Sequence, residues 1–345
     1  MRADPLSPQR GQYGFVQTMF RQVAYDALSR RERKARHLAV AGHLRSTFAD
    51  QGEEIAQVIA THLLDALHAV PDDSDVPDLR SDAVSMLTRA GERAERTGAP
   101  AVATATYTTA ADLLDDTRTP EADLSAAALR ERAGATADAT GDFGTAIERY
   151  ELAAESYRRH GHGRAAARAE TLTGVALRRL GRLEEARTKI TAALTVLETD
   201  PDADTVNALA EMATVNAFAG NAIEANQVSD AALAQAQALG LPDAVLAVLF
   251  TIGGISHGMA GRPAQAAANF REAVLRAEAA GDSAAAARAL LNLGDTLAAT
   301  DPVAAVEANR AAMTHCRRIG HRYHNGYRPG KPHPGVVADR RLECG

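Results

Sequence analysis

An all-α fold built as a row of helical hairpins is what this sequence predicts, and three observations predict it. Small residues recur at fixed spacing: Gly134, Ala146 and Ala153 return as Gly174, Ala186 and Ala193, and again as Gly254, Ala266 and Ala273. Two antiparallel helices need such residues where they approach closely. The turn glycines Gly141, Gly181, Gly220 and Gly261 stand about 40 residues apart, a period within the range of helical solenoids. Aromatic residues make up only 4% of the 345 residues and Trp is absent. That is too little bulk for one thick core, and enough for alanine-rich helices that each bury a face on the next.

The formal net charge of -6 is mild for this length and marks neither a general nucleic-acid binder nor an acidic tail. Charge is uneven, because the first 50 residues carry nine Arg/Lys against four Asp/Glu. Cys316 and Cys344 show no pairing pattern, which fits a reducing compartment. No N-terminal run has the form of a signal sequence, and no stretch approaches the roughly 20 apolar residues of a membrane span. A cytoplasmic protein, off the membrane, is expected.

Taken in order, 1–14 is rich in Pro, Gly, Ser, Arg and Gln and is expected to be a disordered lead. From Phe15 the apolar residues Met19, Phe20, Val23, Ala24 and Leu28 fall on one side of a helix, followed by the basic run Arg30 to Arg36. A second helix carries Leu38, Ala41, Leu44 and Phe48 and ends at Gly52. A third, from about Glu53 to Val70, has Ile55, Val58, Ile59, His62 and Leu63 on its apolar face. These three make a small helical stub over 15–70. Pro71 to Asp78, with two prolines and its acids, reads as a linker.

Six hairpins are expected over 79–320. The first joins a helix through Gly91 to one through Ala103, Tyr107 and Ala110, turning at Gly98-Ala99-Pro100. The second turns at Gly141-Asp142, with Phe143 and Tyr150 as filling, and the third at Gly181, with Ile190. The fourth turns at Gly220-Asn221 and places Ala213, Ala225 and Ala232 in the small positions; the fifth turns at Gly261-Arg262, with Phe270. The sixth turns at Thr300-Asp301-Pro302 and uses Gly294, Ala305 and Ala312, with Pro opening a helix at no cost in hydrogen bonds. Breaks between hairpins fall at Gly161-His162-Gly163, Asp200-Pro201, Gly240-Leu241-Pro242, Gly281-Asp282 and Gly320. Beyond Gly320 the periodicity stops, and 321–345 is expected to be a disordered tail. Its start, HRYHNGY, stands where a seventh hairpin would begin, so the ending is expected to interrupt a longer array.

The small-residue and aromatic spacing resembles the tetratricopeptide repeat, from about Leu79 to Gly320. Its period is longer than that family's usual 34 or so, and no Trp opens a repeat. Armadillo and HEAT repeats share the length but lack the recurring Gly and Ala positions. The resemblance implies a right-handed superhelix of about six tetratricopeptide-like hairpins. In the stub, Gly14-Phe15-Val16-Gln17, Arg21 to Asp26 with Leu28, Arg33, Arg36-His37, Ala41, Ile55-Ala56 and His62-Leu63-Leu64 resemble the segment that follows the ATPase core in STAND-type signal-transduction ATPases. That resemblance is to the kind fused to class III adenylate/guanylate cyclase or LuxR-like output domains. Gln17 stands where many relatives have His. The resemblance implies a sensor and adjoining stub, with an ATPase or cyclase partner module encoded upstream.

No cofactor and no catalytic residue is assigned from the sequence. Gly326 to Pro332 is the nearest string to a phosphate-binding loop, but it is one residue short, carries Pro in place of Ser or Thr, and follows no strand. His315, Cys316, His321, His324, His333 and Cys344 gather near the end, with only His321 and His324 at paired metal-ligand spacing. Asp72, Asp73, Asp75 and Asp78 lack the glycine and closing Glu of a calcium loop. His37 and His62, among apolar neighbours, read as packing residues. The function expected is therefore a non-enzymatic protein-interaction or sensor module. The first helix of each hairpin would line the concave groove, bringing Arg168, Thr171, Arg178, Asn207, Thr214, Arg288, Asn292 and Asp295 to a protein or peptide partner. The alternative is a DNA-binding transcriptional regulator working through the basic N-terminal helices.

Overall fold

The computed structural model describes residues 2–3, 13–14, 18–48 and 55–318. Two short strands, β1 (Arg2–Ala3) and β2 (Tyr13–Gly14), are followed by fifteen helices among the described residues. The first three are α1 (Thr18–Asp26), α2 (Arg30–Thr47) and α3 (Ala56–Ala69). The six hairpins follow as α4 (Val76–Arg96) with α5 (Pro100–Asp115), α6 (Pro120–Thr140) with α7 (Phe143–Arg159), α8 (Gly163–Arg179) with α9 (Leu183–Leu197), α10 (Ala203–Phe218) with α11 (Ala222–Ala238), α12 (Asp243–Met259) with α13 (Pro263–Ala279), and α14 (Ser283–Leu297) with α15 (Pro302–Arg318). Contacts divide the chain between His160 and Gly161 into two compact units, one holding the stub and the first two hairpins, the other the remaining four.

Four of the six hairpins, the first, second, third and fifth, close on the same two devices. The first is the turn. Gly141 sits at φ +83, and behind it Asp142 N–H returns to the Ala137 carbonyl at 3.0 Å, so the last carbonyls of α6 are satisfied before α7 starts. Asp142 then caps α7 by accepting from Thr145 N–H at 3.2 Å. The second device is a missing Cβ. A methyl group added to Gly134 would lie 2.6 Å from Tyr150 Cε1, one at Gly174 2.5 Å from Ile190 Cγ1, and one at Gly254 2.5 Å from Phe270 Cε1; Gly91 faces Tyr107 in the same way. In these four the large partner stands 16 residues after the glycine, so the small residue of the first helix receives a ring or branched chain of the second.

In the fourth hairpin these two positions hold Ala213 and Ser229, both buried, and the pair is shifted in size without a change of spacing. In the sixth, Gly294 faces Asn309, 15 residues on. The reason is where the first helix stops. α14 ends three residues after Gly294, where α4, α6, α8 and α12 run five or six past their glycine, and after the turn 298–301 α15 starts at Pro302, eight residues from the glycine instead of nine; Asp301 caps that helix through Ala304 N–H at 3.0 Å.

Three sequence expectations are corrected. Within the lead, β1 pairs antiparallel with β2, Arg2 opposite Gly14, so the two ends of 1–14 meet. The expected linker ends early, because Val76 to Asp78 form the first turn of α4, where Pro77 lacks only an N–H that has no helical partner. Nor does it separate the stub from the first hairpin: Ala41, Ile59, Leu63 and Leu67 of the stub pack in one cluster with Val76 and Ala83 of α4. Buried Lys34 anchors the segment, donating to Asp73 at 2.7 Å and to Asp75. The helix ending expected at Gly52 and everything expected of 319–345, including the seventh hairpin and the phosphate-loop string, lie outside the described residues.

The second hairpin is also tied by charge. Asp123 accepts from Arg159 at 2.6 Å, from His160 Nε2 at 2.7 Å and from Ser156 Oγ at 2.9 Å. Burial pushes this carboxyl up, yet the bonds from His160 and Ser156 and the charge of Arg159 outweigh it and hold the group below its ordinary value. Because the folded value is depressed, this contribution is present above the usual carboxylate range and lost as pH falls through the folded value. Asp123→Asn should therefore cost about 1–3 kcal/mol at neutral pH and markedly less in strong acid, measured by denaturant unfolding at both; an equal cost at both pH values would overturn the assignment.

The glycine contacts predict opposite signs for one substitution. Gly42, exposed on α2 with nothing within 4 Å, should gain up to about 1 kcal/mol as Gly42→Ala through helix propensity alone. Gly134→Ala gains the same propensity but must displace a buried ring, and should lose about 1–2 kcal/mol net in denaturant unfolding. A stabilising Gly134→Ala would show that the ring does not sit on the glycine.

Candidate functional site

In the second unit the first helices of successive hairpins are neighbours: α8 packs beside α10, α10 beside α12, and α12 beside α14. On this row lie the eight candidate binding residues. The structure sorts them. Thr171 is buried and its hydroxyl donates to the Ala167 carbonyl at 3.1 Å; Thr214 is half-buried and does the same to Ala210 at 2.9 Å. Both hydroxyls close on their own helix, a common fate of Thr in a helix interior, and neither is presented to a ligand.

Arg178 is also committed. Its side chain is 13% exposed, lies 3.3 Å from Glu211 of α10 and stacks with its guanidinium 5.7 Å from the Phe218 ring centroid. Arg168, more exposed, stands 3.9 Å from Asp204. Asn207, Arg288 and Asp295 are exposed and Asn292 is half-buried. Arg168, Asn207 and Arg288 share a register, each six residues before the small residue of its helix. The same offset from Gly254 gives Val248 on α12, which is 44% exposed and which the sequence pattern alone did not single out. One position after the small residue stand Val175, Thr214 and Ile255, all half-buried, and exposed Asp295. The row therefore offers an apolar middle on α12, Val248 with Ile255, between Asn207 of α10 on one side and Arg288, Asn292 and Asp295 of α14 on the other.

In the first unit the corresponding face is closed by an ionic bridge. Arg132 of α6 reaches back to α4, donating to Glu92 at 2.9 Å and Glu95 at 2.7 Å, with its guanidinium 4.4 Å from the Tyr107 ring centroid. Tyr107 donates to Glu95 at 2.9 Å, and burial, with that hydrogen bond, pushes its phenol well up.

The basic run of the N-terminal helices is largely spent on the protein itself. Ser29 and Glu32 form a capping box that starts α2. Arg30 donates to the Ala69 carbonyl at 2.9 Å, Arg33 to Leu28 at 3.1 Å and Asp26 at 3.0 Å, and Lys34 holds the acidic segment. Three cations of the run are thereby turned to α3, to the end of α1 and to 73–75, away from the role a phosphate contact needs.

Beside them lies a polar cluster that periodicity did not reveal. His37 of α2 brings Nδ1 to 3.0 Å from His62 Nδ1 and 3.5 Å from the Asp65 carboxylate of α3. Its Nε2 bonds the Tyr25 hydroxyl at 2.9 Å. Burial pushes the His37 imidazole below its ordinary value; Asp65 opposes that and His62 adds to it. Of the metal-capable residues near the end of the chain, His315 and Cys316 are described: His315 is buried 3.3 Å from Glu278, Cys316 is buried and in no disulfide, and His315 borders a small open cavity of about 160 Å³ with Asp282 and Arg318. His321, His324, His333 and Cys344 lie outside the described residues. No described helix is long and apolar enough to cross a membrane.

No family model and no curated protein matches the sequence. Solved structures match the fold. The apo form of RapI aligns with a TM-score of 0.60 at 10% identity, covering 88% of this chain and 80% of that one. A Rap protein complexed with competence and sporulation factor aligns at 0.56 and 15% identity, covering 83% and 77%. A STAND protein with a tetratricopeptide repeat sensor, from Pyrococcus horikoshii, aligns at 0.53 and 12% identity, covering 87% of this chain and 49% of that one. At such identities the likeness is one of architecture: the chain is an all-α array of tetratricopeptide-like hairpins.

The two inter-helix ion pairs of the row predict unequal couplings. A double-mutant cycle on Arg178 and Glu211 should give about 1 kcal/mol, because Arg178 is largely shielded from water, while Arg168 with Asp204 should couple by a few tenths or less. The reverse order in denaturant unfolding would refute this reading of the face.

Proposed function

We propose that the chain is a non-enzymatic sensor or interaction module of a bacterial signal-transduction regulator of the STAND type, and that the first-helix row of the second unit takes a protein or peptide segment. The observation that carries the reading is the row itself: four neighbouring helices presenting Val248 and Ile255 between Asn207 and the group Arg288, Asn292 and Asp295. A peptide with an apolar residue flanked by polar ones matches that order, its backbone meeting the side-chain amides and its charges meeting Arg288 or Asp295.

Two likenesses support it. One relative in fold is a STAND protein that carries a tetratricopeptide repeat sensor, and the N-terminal motif residues of this chain resemble the segment that joins such a sensor to its ATPase core. Another is a Rap protein in complex with competence and sporulation factor. In this proposal an ATPase or cyclase module is the effector, and this chain supplies recognition alone.

The test is a selection of displayed peptides on the purified chain, followed by calorimetry with the selected peptides. Val248→Asp and Arg288→Ala should each weaken binding by tenfold or more, while exposed Val303→Ser on α15 leaves it unchanged. Peptides that bind equally well to all three variants would sink the proposal, as would ATP hydrolysis by the purified chain at ordinary enzyme turnover.

A further inference from the structure

Among the described residues, one group of three metal-capable side chains converges, and it is His37, His62 and Asp65. It belongs to no portion of the binding face. His62 and Asp65 are three apart on α3, hence on one side of that helix, and His37 enters from α2. The two Nδ1 atoms lie 3.0 Å apart and a carboxylate oxygen lies 3.5 Å from His37 Nδ1, and one ligand atom from each of the three residues lies within 4.8 Å of the others. Ligand bonds of 2.0–2.2 Å in a tetrahedral zinc site put neighbouring donor atoms about 3.3 Å apart, and the two separations from His37 Nδ1 stand on either side of that value.

We infer that His37 Nδ1, His62 Nδ1 and the Asp65 carboxylate bind one divalent transition-metal ion of the zinc class, with the remaining position open to water. One proton shared between two imidazole nitrogens satisfies one lone pair and leaves the half-exposed carboxylate to water. A dication satisfies all three donors at once. The donor set of two imidazoles and one carboxylate suits zinc, cobalt or nickel above magnesium or calcium.

The outer side of the site is also built. With Nδ1 on the metal, His37 carries its proton on Nε2 and donates it to the Tyr25 hydroxyl at 2.9 Å, which fixes the ring's orientation as second partners of ligating histidines do. Asp65, with its side chain 44% exposed, leaves a path for the ion to enter. Binding would pin α2 to α3 and, through Tyr25, would reach α1.

The experiment is a zinc titration of the full chain against a chromophoric chelator, repeated with cobalt to read the coordination from its visible bands. One equivalent at micromolar or tighter affinity is expected, with intense four-coordinate cobalt bands. His62→Ala should weaken zinc at least about 100-fold and Tyr25→Phe about tenfold. Should His62→Ala fail to fold, Asp65→Asn, at a more exposed position, carries the same test and should weaken zinc by tenfold or more. Absence of zinc binding at micromolar concentration, or binding that persists unchanged in either ligand variant, overturns the site.

Discussion

Four of the six hairpins rest on one steric constraint, the empty space beside a first-helix glycine that a ring or branched side chain of the second helix fills. Tyr107 and Tyr150 are almost wholly buried against Gly91 and Gly134, and Phe270 against Gly254. Burying such a side chain is worth roughly 1.5–3 kcal/mol, and it is available only where the facing helix has no Cβ. The contact spans 16 residues, so the loop it closes is short and its entropy cost small. A chain of such closures needs no central core, which is why 4% aromatic content is sufficient.

That constraint is local, and locality explains what could be read from the sequence. Turn glycines, proline at helix starts and the recurrence of small residues are all set within one hairpin, and the six hairpins fall where those signals put them. The sixth shows the rule through its exception: α14 stops three residues after Gly294 and α15 begins one residue earlier, counted from the glycine, than in the other hairpins, which moves the partner from the sixteenth to the fifteenth position, Asn309. Register follows the spacing from the glycine to the start of the second helix.

What was illegible lies between elements. Lys34 meets Asp73 and Asp75 some 40 residues away, so a run of acids that looked like a solvated linker is in fact an anchor holding α4 to the stub. His37, His62 and Asp65 come together from two helices whose periodicity marks only their apolar faces. The same holds on the proposed binding face. An offset from the small residue picks out first helices, but it could not tell that the Thr171 hydroxyl closes on its own helix or that Arg178 meets Glu211 of the next hairpin. The one register position it could have supplied and did not is Val248, whose place follows from Gly254 by the offset that gave Arg168 and Arg288.

These pairings decide what the proposed face can recognise. An arginine that already holds a carboxylate offers a ligand only an exchange, and the exchange is favourable only if the existing pair is weak. Arg168, at 3.9 Å from Asp204 and well hydrated, is in a pair worth a few tenths of a kcal/mol, so a ligand acid can compete for it. Arg178 is shielded, stacked on Phe218 and bonded to Glu211; taking it would leave Glu211 without its partner in a partly buried place, a loss of about 1–3 kcal/mol that an incoming carboxylate must first offset. On the proposed face, then, charge recognition would fall to Arg288 and Asp295, beside the apolar contact of Val248 and Ile255, with Arg178 as a piece of the wall.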